Sequence, residues 1–169
     1  MINMQDHILN YIKQQVIGKS GAALLIGNNS AQELKELYQN LDKLKYRGMI
    51  EKRENETKFW TDLLGLIKKQ DFSKSNLTRD QTVGLVETSL KRLDDIFYLF
   101  LPDVDTIFYK YDVQEKGMMG ASLRRIWQTR GTNLTILGSL SDANTKSYET
   151  TIDKYTYPFY LGNWLPIFL

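Results

Sequence analysis

Apolar residues recur at helical spacing from the start of the chain. Ile8, Leu9, Ile12, Val16 and Ile17 predict a short amphipathic helix from Asp6 to about Ile17, with Asp6 able to cap it and Gly18 and Gly21 to stop it. The run Ala22-Ala23-Leu24-Leu25-Ile26-Gly27 is apolar but too short for periodicity to choose. It suits a buried strand or the second helix of a compact three-helix unit. Ser30-Ala31-Gln32-Glu33 has the spacing of a capping box, in which Ser30 accepts from the Glu33 amide and the Glu33 carboxylate reaches back. Leu34, Leu37, Tyr38, Leu41 and Leu44 continue one apolar stripe, and Gly48 is placed to end that helix. Met49–Arg53 and Thr57–Trp60 then predict two short strands around the polar tip Glu54-Asn55-Glu56.

Trp60 to Lys69 suits a short helix, and residues 71–76 form a polar loop and a candidate boundary. Thr78, with Gln81 three residues on, opens the longest predicted helix, 79–101. Val83, Val86, Leu90, Leu93 and Phe97 lie on one side of it, and Ile96 and Phe100 beside them. Pro102 ends it, because proline disfavours helical geometry in the preceding residue. Thr106 to Tyr111 is rich in strand formers, and Gly117 to about Trp127 suits one more helix. Asn133–Leu137 and Tyr148–Tyr157 read as strands around the turn-rich segment 139–144. The expected class is α+β: a helical N-terminal part with a small β-hairpin, a long central helix and a β-rich C-terminal part. Two subdomains follow, a helix-hairpin unit at 1–70 and the long helix with its sheet at 77–169.

Composition narrows the chemistry more than the fold. The chain has 169 residues, 42% hydrophobic and 25% charged, an ordinary globular mixture that excludes disordered, collagen-like and coiled-coil readings. No stretch has the ~18 uncharged apolar residues of a membrane span, and the polar start does not read as a leader. The expected location is therefore a virion or a host cytoplasm, neither secreted nor transmembrane. There is no cysteine and one histidine, His7, which excludes thiolate metal sites, cysteine nucleophiles and multi-histidine centres. The formal charge is +2, without the basic bias of a protein that lives on nucleic acid.

Three short motifs invite a chemical reading. Gly18-Lys19-Ser20 has the tail of a phosphate loop, but Lys13 stands where that motif needs a glycine and a helix precedes it, so it reads as a solvated helix end. Ile26-Gly27 before the Ser30 helix resembles a strand-to-helix phosphate turn with one glycine in place of three, and reads as a plain connection. Asp103-Val104-Asp105 has the outline of an Asp-X-Asp metal site and reads as capping around Pro102. No catalytic residue, metal ligand or cofactor is expected, and the chain is expected not to be an enzyme.

The C-terminal segment carries the strongest signal. After Lys154 no residue is charged. Phe159, Tyr160, Leu161, Trp164, Leu165, Ile167, Phe168 and Leu169 are the candidate interface, with Phe159, Trp164 and Phe168 as anchors in a neighbouring subunit; burial in the chain's own core is the alternative.

Two families resemble parts of the chain. Gly120-Ala121-Ser122-Leu123-Arg124-Arg125-Ile126, the β-rich sequence after it, Tyr160-Leu161-Gly162 and the Pro-Ile-Phe-Leu ending make residues 118–169 similar to bacteriophage tail-completion and head–tail joining proteins. That resemblance implies a ring-forming subunit of a virion, an oligomer whose partners are itself or other structural subunits. Residues 8–60, with Leu41-Asp42-Lys43-Leu44-Lys45-Tyr46-Arg47-Gly48-Met49-Ile50 before a hairpin, resemble a winged helix-turn-helix domain. That alternative implies a DNA-binding regulator, with Gln32, Lys35, Gln39, Lys43, Lys52, Arg53 and Lys58 as nucleic-acid contacts. Near-neutral charge favours the first reading: a non-catalytic structural subunit that docks through its apolar tail.

Overall fold

The structure, a computed structural model, describes residues 4–51, 55–104, 111–141 and 164–169. Helix α1 (Met4–Gln15) leads into strand β1 (Gly21–Ile26), followed by α2 (Ser30–Asn40) and β2 (Tyr46–Met49). Helices α3 (Glu56–Lys68) and α4 (Arg79–Lys91) precede β3 (Phe97–Leu101). Helix α5 (Val113–Gln128), β4 (Leu134–Leu140) and β5 (Leu165–Phe168) complete the described elements. The mixed helix-and-strand class expected from the sequence stands. All strand pairs are parallel, in one five-stranded sheet of order β2-β3-β4-β1-β5. The sheet draws β1 and β2 from before the 71–76 loop and its other three strands from after it.

Parallel strands joined by right-handed crossovers put helices on both faces of the sheet. The step from β1 to β2 runs one way across the sheet and carries α2; the steps β2 to β3 and β3 to β4 run the other way and carry α3, α4 and α5. Two cores result. Ile12 of α1, Val16 just after it, and Leu34 and Leu37 of α2 pack on Ala23, Leu25, Tyr98, Phe100 and Leu137. On the opposite face Phe59, Trp60, Leu63, Val86, Leu90, Leu123 and Ile126 pack on Leu24, Ile26, Phe97, Leu99 and Ile136. Alternation of strand side chains sends neighbours to opposite faces, so every residue of β3 and β4 is buried.

This double burial corrects the long helix. The helix ends at Lys91, Asp94 and Asp95 lie in the turn, and 97–101 is strand β3. Its run Phe-Tyr-Leu-Phe-Leu is continuously apolar because both faces are covered, and Phe97 and Phe100 match the helical stripe by coincidence. The predicted hairpin is also absent. Tyr46–Met49 pairs in parallel with Phe97–Phe100, and Glu56 begins α3, capped by Asn55, whose side chain accepts from the Lys58 amide at 2.9 Å. Gly48 therefore ends no helix. It sits in β2, where an added Cβ would stand 2.9 Å from Leu66 Cδ1. The Ser30–Glu33 capping box does not form: Asn29 is the N-cap without a side-chain bond, and the buried Ser30 turns inward. Ala22–Ile26 is a strand rather than a helix.

Other expectations hold. The first helix, the 71–76 loop and the Thr78–Gln81 capping box are present, with both reciprocal bonds of the box formed. Helix α5 starts earlier than Gly117, under a second box, Asp112 with Glu115. The strands predicted at 106–111 and 148–157 fall mainly or wholly outside the described residues.

Candidate functional site

Open parallel sheets place ligands at the carboxyl ends of their strands, where the following connections diverge to opposite faces. Here that position lies around the ends of β1, β4 and β3. Strand β1 runs into Gly27-Asn28-Asn29 and α2 begins at Ser30. The Gly27 amide and the Ser30 hydroxyl both donate to the Leu140 carbonyl at the end of β4, each at 3.0 Å. The Leu169 amide donates to the Ile26 carbonyl at 2.9 Å, and Leu169 Cβ lies 3.1 Å from where a Cβ on Gly27 would stand. The turn is thus tied to β4 on one side and covered by the end of β5 on the other.

Asp103 follows β3 directly, after Pro102, with a left-handed backbone (φ 56°). Its amide donates to Ser139 Oγ of β4 at 2.8 Å, and Ser139 is fully buried. The sheet therefore ties the backbone of Asp103 to a buried hydroxyl at the ends of two central strands. Residue 105, the second acid of the Asp-X-Asp outline, lies outside the described residues.

A second cluster stands where α3, α4 and α5 all begin, at the same carboxyl edge. Glu56, with 3% of its side chain exposed, takes a forked bond from Arg79: Nε donates to Oε2 at 2.9 Å and Nη2 to Oε1 at 2.6 Å. Trp60 Nε1 donates to Glu56 Oε1 at 2.5 Å. Arg79 Nη2 also donates to the Met118 carbonyl and to Ser122 Oγ. Burial works most strongly against the Arg79 charge, but the bonds to Glu56 and Asp80 and the two carboxylate charges together outweigh it and hold the guanidinium above its ordinary value. Sequence reasoning missed this pair, because Glu56 and Arg79 are far apart in the chain and each follows a helix cap.

The predicted nucleic-acid residues that are described lie on different elements. Gln32, Lys35 and Gln39 lie on α2, with Lys35 paired to Glu51 at 3.0 Å. Lys43 lies beyond the other end of α2, and Lys58 in the first turn of α3. Lys52 and Arg53 lie outside the described residues. Of the predicted interface, residues 159–161 lie outside them too. Trp164 is buried in the chain's own core, edge-on to Trp127 with ring centroids 6.5 Å apart. Leu165, Phe168 and Leu169 are exposed, and Ile167 is half-buried on β5. Among the described residues no group of three His, Cys, Asp or Glu side chains could hold a metal ion, and no helix is long and apolar enough to cross a membrane.

No family model matches the sequence, and no curated protein matches it. Solved structures do match the fold. The Orc1 protein of Aeropyrum pernix, solved in complex with DNA, is 12% identical; the match covers 100% of this chain and 45% of that one, with a TM-score of 0.60. Cdc6p of Pyrobaculum aerophilum is 14% identical over 98% of this chain and 45% of that one, with a TM-score of 0.64. A Walker-type ATPase of Pyrococcus abyssi is 14% identical over 99% of this chain and 53% of that one, with a TM-score of 0.66. The chain spans about half the length of these proteins, and what it shares with them is the fold.

These matches overturn the two resemblances. The segment likened to tail-completion and head–tail joining proteins is the end of α5, β4 and β5 of a parallel sheet, and the segment likened to a winged helix holds β1, α2, β2 and the start of α3. The virion-subunit, connector and winged-helix-regulator readings fall with them. The expectation of a non-enzyme falls too. It rested on missing histidines and cysteines, whereas a Walker-type ATPase works by positioning phosphates and charge and needs neither.

A Walker-type ATPase such as the Pyrococcus abyssi protein takes a nucleotide, and the β1–α2 turn of this chain can be set against what that requires. A phosphate loop needs Gly-x-x-x-x-Gly-Lys-Ser/Thr, with open amides, a lysine on the phosphates and a hydroxyl on the metal. This turn has one glycine, covered by Leu169, no lysine, and a hydroxyl already given to Leu140. Its residues do not fit a triphosphate.

Proposed function

We propose that this chain is an ATPase-fold subunit of a multi-component assembly that works on DNA, of the replication-initiation kind. The observation that carries this reading is the fold match, over 98–100% of the chain, with Orc1, Cdc6p and Drosophila ORC bound to DNA and Cdc6. Two of those structures contain DNA, and the Drosophila one holds ORC together with Cdc6. The chain supplies a rigid sheet with helices on both faces, and the closed β1–α2 turn makes it a scaffold for contacts with DNA and with partner subunits.

The test is light-scattering mass of the purified chain with and without duplex DNA, at low and near-physiological salt, with ATP turnover measured on the same samples. The expected result is a DNA complex that weakens as salt rises. Turnover above a protein-free blank would assign ATP chemistry to the chain itself. A chain that ignores duplex DNA at low salt overturns the reading.

A further inference from the structure

The edge of the sheet opposite the candidate site is basic. Each parallel strand starts there, and the helices that lead into β1, β3 and β4 end there. Lys13 and Lys19 precede β1, Lys43 precedes β2, Lys91 and Arg92 precede β3, and Arg130 precedes β4. All six side chains are exposed, and among the described residues none of them makes an ion pair. The acids at this edge are fewer. Asp94 is already bonded to Lys45 and Tyr46, Asp95 accepts from the Ile96 amide, and Asp42 remains.

Helix dipoles account for only part of this pattern. A cation in the last turn of a helix is stabilised by the carbonyl end. Lys13 and Lys91 meet that description. Lys19, Lys43 and Arg130 do not, because they lie in the loops beyond the helix ends, and Arg92 is the C-cap itself. Strands in a sheet are spaced by about 4.8 Å, so the starts of β2, β3, β4 and β1 extend along roughly 15 Å, with helix layers on either side. Two shallow clefts of about 300 Å³ open on this edge, one at Lys13 and Lys43 and the other at Lys19 and Thr135.

We infer that this amino edge is the surface that takes the phosphate backbone of DNA. The inference rests on the DNA reading above and names the face that reading leaves open. Exposed cations without partners are the groups that displace condensed counterions from a polyanion, and a row of that length meets several successive phosphates rather than one. Loop cations without a fixed donor geometry contact backbone rather than base edges, so binding here is independent of sequence.

The test compares three proteins by fluorescence anisotropy with a labelled duplex over a salt series. The wild type is set against Lys19→Gln/Lys43→Gln/Arg92→Gln/Arg130→Gln and against the single control Lys116→Gln, on the first turn of α5 at the opposite edge. Circular dichroism confirms that each is folded, and the pairs Lys19→Gln/Lys43→Gln and Arg92→Gln/Arg130→Gln replace the quadruple variant if it is not. The expected result is binding at least about tenfold weaker, with the salt slope reduced by about one for each cation removed, and an unchanged control. A wild type that binds DNA while the quadruple variant binds equally well overturns this surface and leaves the DNA reading intact. A wild type that binds phosphatidylserine vesicles but no duplex overturns both.

Discussion

The two edges of the sheet treat charge in opposite ways. At the carboxyl edge, where α3, α4 and α5 begin, charge is paired: Glu56 and Arg79 hold each other, and Trp60, Ser122, the Met118 carbonyl and the exposed Asp80 make further bonds to them. At the amino edge, cations stand in water beside few acids, and the Lys45–Asp94 ion pair bridging the starts of β2 and β3 is exposed. The same fold thus places its structural electrostatics at one edge and leaves uncommitted charge at the other. A paired charge in the interior contributes to stability only as long as both partners remain, whereas an exposed pair contributes little.

The comparison is broken most sharply at Arg79. Arg79→Ala leaves the Glu56 carboxylate buried without its partner and is expected to cost about 3–5 kcal/mol, read as a shift of the urea midpoint. Replacing both partners, Glu56→Leu with Arg79→Met, is expected to cost much less, since no charge is then stranded. If the single variant were as stable as the wild type, the buried pair would not anchor the three helix starts.

How legible this was depends on how local each signal is. Thr78 with Gln81 could be read directly, because a cap is written within four residues. Phe97–Leu101 could not: a strand covered on both faces loses its alternation, and its apolar residues extended the stripe of the preceding helix. Ser30 and Glu33 had the spacing of a cap, but the Ser30 hydroxyl bonds Leu140, a residue 110 positions away, and no local pattern reports that choice. The closed β1–α2 turn stayed hidden for the same reason, since Leu169 reaches Gly27 from the last described residue of the chain.

A middle-sized effect lies at Thr78. Thr78→Ala removes the acceptor for the Gln81 amide (3.2 Å) at the same carboxyl edge and is expected to cost about 1 kcal/mol by thermal or urea melting. The smallest effect is at the amino edge. The hydrogen bonds from Lys45 and then Tyr46 hold the Asp94 carboxyl below its ordinary value. Its contribution is therefore present above the unfolded pKa and is lost as pH falls through the lower folded value. Asp94→Asn should lower the melting midpoint only slightly at neutral pH and converge with the wild type in the acid limb, where the wild type has lost the same contribution. A large loss at neutral pH would show that the amino edge also carries structural charge.

The register of β1 governs how this chain can be made. Its partners are Thr135 to Leu140 on one side and Leu165 to Phe168 on the other, so Gly21 must wait for a residue 114 positions later. At about 5–20 residues per second of synthesis, that delay is roughly 6–23 s. Throughout it the most apolar strand of the amino-terminal half has neither neighbour, and closing such long-range parallel pairs is slow even once the chain is complete. The nascent chain therefore meets the ribosome surface and its chaperones with both edges of β1 unpaired, an exposure that the finished sheet no longer shows.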